Sequence, residues 1–130
     1  MLIGAPKRTQ DVFGSGSYGA SRGTRKHNGI DYACYPDSAV FAPATGIITK
    51  IGYPYADDLS FRYVQITTED GLDYRIFYIS PIVGLNDFVT RDHTIIGISQ
   101  KLGDRYPDIT EHVHFEVKVD GVFVNPEELG

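Results

Sequence analysis

Four histidines occur in this chain of 130 residues, and three of them fall in two short motifs. The first motif is His27-Asn28-Gly29-Ile30-Asp31, a His-x-x-x-Asp. The second, His112-Val113-His114, opens a run that alternates as far as Val119. His112, His114 and Glu116 lie on one side of it, and Val113, Phe115, Val117 and Val119 on the other. A strand repeats every two residues, so this pattern predicts a β-strand with one apolar face in a core and two imidazoles side by side on the opposite face. The apolar half needs only a sheet with a core behind it. Two imidazoles aimed at one place need a further reason, and metal ligation is the usual one. An imidazole and a carboxylate from the first motif and an imidazole from the second make a ligand set of the kind a catalytic zinc takes, with a fourth position left for water. Other divalent metals would accept the same set. Buried histidines satisfied by hydrogen bonds are the alternative reading.

The rest of the sequence has to hold these motifs in place. With 14 Gly, seven Pro, nine Tyr and seven Phe, it favours short strands and tight turns over helices. Strands are predicted over 31–35, 39–42, 46–52, 61–68, 72–79, around Phe88-Val89, and over 94–98, 111–119 and 122–124. Asp70-Gly71 and Asp120-Gly121 mark the turns of two hairpins. Val83 to Arg91 begins as a loop, and Asp92-His93 is a tight turn. No amphipathic helix, heptad or internal repeat is present. The prediction is a single all-β domain over residues 1–130, an antiparallel sandwich or partly open barrel, with residues 1–13 as an N-terminal arm.

Charge and composition exclude several functions. A formal net charge of −5 argues against nucleic acid as a partner, because phosphate binding needs a basic surface. No apolar run approaches the roughly 20 residues of a membrane span. The beginning of the sequence lacks a long apolar stretch, so no secretory signal is expected. Cys34 is the only cysteine, which rules out an internal disulfide and suits a reducing compartment. It is read as a small buried hydrophobe on a strand rather than a metal ligand. Arg22, Arg25 and Lys26 are read as cations of a solvated Gly/Ser-rich loop, Asp57-Asp58 as a solvated carboxylate pair, and His93 as a surface turn residue. Lys101 to Glu111 leads directly into the His-x-His strand and is expected to form a wall of the cleft.

The spaced motifs, with Val40-Phe41-Ala42-Pro43, Gly46-Ile47-Ile48, Asn86-Asp87-x-Val89, Ile95-Ile96-Gly97, Gly121 and Asn125-Pro126, resemble the lysostaphin-type, LytM-like zinc endopeptidases of bacterial cell walls. The resemblance runs from about Phe13 to Pro126. It implies a lysostaphin/LytM-type fold, Zn2+ held by His27, Asp31 and His114, and His112 as the catalytic residue that acts on the attacking water. The implied substrates are peptide cross-bridges of peptidoglycan, and the implied place of action is the bacterial cell wall or a virion such as a phage tail. The resemblance has one departure. Where the family has a further histidine in a Tyr-x-His-Leu context, this chain has Tyr78 in Ile76-Phe77-Tyr78-Ile79-Ser80-Pro81. A phenol donates a hydrogen bond but carries no positive charge near neutral pH. A vertebrate branch, the leukocyte cell-derived chemotaxins, is similar in this respect and in Gly16-x-Tyr18-x-Ala20-x-Arg22, Phe77-Tyr78-Ile79-x-Pro81 and Tyr106-Pro107-x-Ile109. The resemblance therefore implies either weakened catalysis, with Tyr78 as a second catalytic residue, or a zinc-stabilised binding or structural module that docks on peptidoglycan peptides or on other proteins of a larger assembly.

Overall fold

A computed structural model describes residues 29–103, 105–107, 109 and 111–126, together with the backbone of 21–22, 25–26 and 104. The N-terminal arm and His27 lie outside the described residues. The strands are β1 (Ser21–Arg22), β2 (Arg25–Lys26), β3 (Ile30–Ala33), β4 (Ala39–Phe41), β5 (Gly46–Gly52), β6 (Tyr63–Thr67), β7 (Leu72–Phe77), β8 (Ile79–Pro81), β9 (Phe88–Val89), β10 (Ile95–Ser99), β11 (His112–Val119) and β12 (Val122–Val124). A short 3-10 turn, Leu102–Asp104, follows β10.

All of these pairings are antiparallel. The large sheet runs β12-β11-β7-β6-β5-β9, with β3 paired to β11 beside β12, and a smaller sheet runs β4-β10-β8. The all-β antiparallel architecture expected from the sequence is the one observed. Alternation explains how the core forms. Leu72, Tyr74 and Ile76 of β7 and Val113, Phe115 and Val117 of β11 face inward, as do Val64 and Ile66 of β6. The smaller sheet contributes Val40, Ile79 and Ile96 to the same cluster. In β5 the register shifts between Ile48 and Lys50. This bulge lets both Ile48 and Ile51, three residues apart, reach the core.

Two readings need correction. Residues 21–22 and 25–26, expected within a loop, pair as a short antiparallel ladder, with Ser21 opposite Lys26 and Arg22 opposite Arg25. These polar residues have no apolar alternation to betray a strand. The strand expected over 72–79 breaks at Tyr78, whose φ is 73°. There the chain leaves the large sheet, and Ile79 begins β8 in the smaller one. The turns at Asp92, Asp120 and Gly121 adopt the left-handed backbone their sequence implies. His93 is exposed in the turn between β9 and β10, as expected.

Candidate active site

β11 organises the site because it carries both histidines of the second motif. Its register places His114 directly opposite Asp31 of β3 and, on its other side, Phe77 of β7. Residues opposed in a ladder put their side chains on the same face, so Asp31 and His114 meet without any loop having to deliver them. The His114 Nδ1–Asp31 Oδ1 distance is 2.9 Å, and His112 Nε2 lies 3.5 Å from Asp31 Oδ2. The ring of Phe77 packs edge-on to His114 at 5.2 Å. Tyr78 packs edge-on to His112 at 5.7 Å. Four of the five residues singled out for chemistry thus converge on one place, and the fifth, His27, lies outside the described residues. Among the described residues, no group of three or more His, Cys, Asp or Glu is arranged to hold a metal ion.

Residues 25–126 match Peptidase family M23. This chain belongs to that family. It is 35% identical over 109 residues to leukocyte cell-derived chemotaxin-2 of Mus musculus, covering 84% of this chain and 71% of that protein. Its fold is similar to the antimicrobial peptidase lysostaphin from Staphylococcus simulans, with a TM-score of 0.72 at 20% identity, and covers 97% of this chain but only 50% of that one. It is also similar to a chain of the SpoIIIAH and SpoIIQ complex, with a TM-score of 0.66 at 25% identity over all of this chain and 92% of that one.

One residue of this M23 chain was not singled out in the sequence, although its signal was there. Glu116 follows His114 by two positions on the same face, and its Oε1 lies 3.0 Å from His114 Nε2. His114 therefore faces a carboxylate at each ring nitrogen. Burial disfavours the charged ring, but the hydrogen bonds to Asp31 and Glu116 outweigh it and raise the pKa to about 9. The two carboxylates act differently. Glu116 fixes the Nε2–H and so the ring orientation, while Nδ1 is turned to the Asp31 side, where a cation could replace its proton. Gly29 leaves the room for this: a Cβ there would stand 2.9 Å from His114 Cε1 and 2.3 Å from the Phe115 carbonyl oxygen. Oxygen and nitrogen donors with a cation-favouring charge are what a zinc site requires, so Asp31 and His114 fit that metal.

Loops shape the other side of the site. The Tyr78 N–H donates to the Arg62 carbonyl at 2.8 Å, and its carbonyl accepts from the Gln100 N–H at 2.8 Å. These bonds hold an aromatic residue at positive φ, a conformation that costs about 1–2 kcal/mol. Burial pushes the Tyr78 phenol up to about 12, so it stays protonated and able to donate near neutral pH. The segment expected as a cleft wall is anchored at both ends. The Glu111 carboxylate accepts from the Leu102 and Gly103 N–H groups at 2.6 and 2.9 Å. The carboxylate pair expected to be merely solvated has a partner: Arg105 reaches Asp57 at 3.4 Å and Asp58 at 3.6 Å. Cys34 lies just past β3 rather than within it, packed partly buried against the core. Burial raises its thiol pKa, which keeps it a thiol.

Proposed function

We propose that this chain is a zinc-dependent endopeptidase acting on the peptide cross-bridges of peptidoglycan, at the cell wall or from a virion. The observation that carries this reading is the meeting of Asp31, His112 and His114 across the β3–β11 ladder. His27, Asp31 and His114 would hold the zinc, which when bound polarises the scissile carbonyl and acidifies the attacking water. His112 takes the proton from that water through a ring already beside Asp31 and returns it to the leaving amine. Tyr78 donates a hydrogen bond from its hydroxyl to the oxygen that becomes negative as the carbonyl is attacked. Glu116 keeps His114 from rotating.

A second reading is a module that holds zinc and binds peptides or a protein partner without cutting. Tyr78 in place of an imidazole favours it, as do the similarities to chemotaxin-2 and to a chain of a two-protein complex. Both readings share the metal. No helix among the described residues is long and apolar enough to cross a membrane.

Calorimetric titration with zinc tests the shared part. We expect one zinc per chain in the wild type and none in Asp31→Ala. Zinc must displace a proton from His114, whose pKa is raised to about 9. Apparent affinity should therefore climb about tenfold per pH unit from roughly pH 7 and level off above about pH 9. A stoichiometry unchanged by Asp31→Ala would contradict the ligand assignment.

A further inference from the structure

A column of aromatic rings connects the site to the surface, and the hydroxyls along it form a chain. Tyr55 stacks on Tyr78 with ring centroids 6.2 Å apart and an interplanar angle of 18°, and Tyr78 in turn stands edge-on to His112. The guanidinium of Arg105 lies 3.8 Å from the centroid of Tyr55. Phe61 closes the side of the column, edge-on to both Tyr55 and Tyr78. The polar atoms follow the same path. Arg105 Nε donates to the Tyr106 hydroxyl at 3.2 Å, the Tyr106 hydroxyl donates to Tyr55 at 2.8 Å, and the Tyr55 and Tyr78 hydroxyls are 3.0 Å apart.

The direction of this chain follows from chemistry. A guanidinium has five N–H donors and no acceptor, so Tyr106 can only accept from it. Each phenol has one proton. Tyr106 gives its own to Tyr55, and the chain runs in one sense when the Tyr55 proton goes on to the Tyr78 oxygen. Tyr78 is then left with its own proton to give beyond the chain. Asp57 and Asp58 hold Arg105 at the outer end.

We infer that Arg105, Tyr106 and Tyr55 are positioning residues that set the direction of the Tyr78 hydroxyl, so that a neutral phenol serves as an oriented hydrogen-bond donor where an imidazolium would otherwise supply one. A hydrogen-bond chain that begins at a cation polarises each successive O–H in the same sense. The chain ties the 53–60 loop to the 101–111 loop and delivers to the site, through three hydroxyls, part of the positive charge that Tyr78 lacks. Its catalytic use rests on the endopeptidase reading, but its geometry does not.

The test separates the two. Metal-free protein is labelled with carbon-13 at the tyrosine ζ position, and loss of one resonance in Tyr78→Phe assigns that residue. Tyr106→Phe removes one oxygen two links away and keeps the ring. It is expected to move the Tyr78 resonance as well as that of Tyr55. In zinc-loaded protein the same variant is expected to lower kcat on peptidoglycan cross-bridges about three- to tenfold with KM unchanged, the effect of weakening one hydrogen bond. Arg105→Lys, which keeps the positive charge as well as a donor, should retain more of kcat than Arg105→Gln. A Tyr78 resonance unmoved by Tyr106→Phe would overturn the inference, as would a kcat equal to wild type in an active enzyme. Absence of turnover in the wild type, with the Tyr78 resonance still answering to Tyr106→Phe, would uphold the directed chain and overturn the endopeptidase reading instead.

Discussion

Tyr78→Phe is expected to lower kcat by about 10²-fold while KM and bound zinc stay as in the wild type. The ring would still fill its place between Tyr55, Phe61 and His112, so packing changes little. The loss is one donor to the developing oxyanion, and such losses cost about 10²–10³ in rate. The hydrogen bond with Tyr55 is also lost, at about 1 kcal/mol of stability. Tyr78→His should move the rate the other way. Histidine tolerates the left-handed backbone at φ 73° better than most residues, and its imidazolium brings a charge the phenol cannot. Steady-state kinetics on a cross-bridge peptide decides the matter. A Tyr78→Phe enzyme as fast as wild type would remove Tyr78 from the chemistry.

The second large effect concerns a residue with no side chain. Gly29→Ala is expected to lower the Tm by roughly 10 °C and to weaken zinc binding about 10- to 100-fold. The new Cβ would lie 2.3 Å from the Phe115 carbonyl oxygen and 2.9 and 3.0 Å from two atoms of the His114 ring. Phe115 is 1% exposed and paired in the middle of the large sheet, so its backbone has nowhere to retreat. Overpacking of this kind costs about 3 kcal/mol. The ring of His114 can yield only by leaving the Asp31–Glu116 axis that fixes it. A thermal melt and a zinc titration on the same sample measure both effects. A Tm within about 2 °C of wild type, with zinc affinity retained, would show that β3 and β11 are not so tightly apposed.

The motifs that a local pattern can express were legible in the sequence. β11 announced itself because its period-two alternation continues through eight residues, and the same alternation placed His112, His114 and Glu116 on one face. It could equally have named Glu116 as the partner of His114, since i and i+2 on a strand are neighbours on that face. The break at Tyr78 could not be read, because Ile76-Phe77-Tyr78-Ile79 is continuously apolar and a change of sheet leaves no gap in such a run. The Tyr55–Tyr106 contact was hidden for a different reason. Each lies in a polar loop without periodicity, and 51 residues separate them. The pairing of Arg105 with Asp57 and Asp58 depends on the same loop geometry. The opposition of His114 and Asp31 lay between these cases. The two motifs suggested that the residues meet, but only the β3–β11 register shows that they do so as direct ladder partners.

The central claim is that these residues hydrolyse a peptide bond. Zinc-loaded protein should be incubated with purified peptidoglycan and the appearance of new amino groups followed over time, beside a His112→Ala control of matched zinc content. The expected result is steady release by the wild type and at least a 10²-fold slower release by the control, because the group that accepts and returns the proton is gone. No release by a wild-type protein that holds one zinc per chain would contradict the account, and would make this fold a binding module rather than an enzyme.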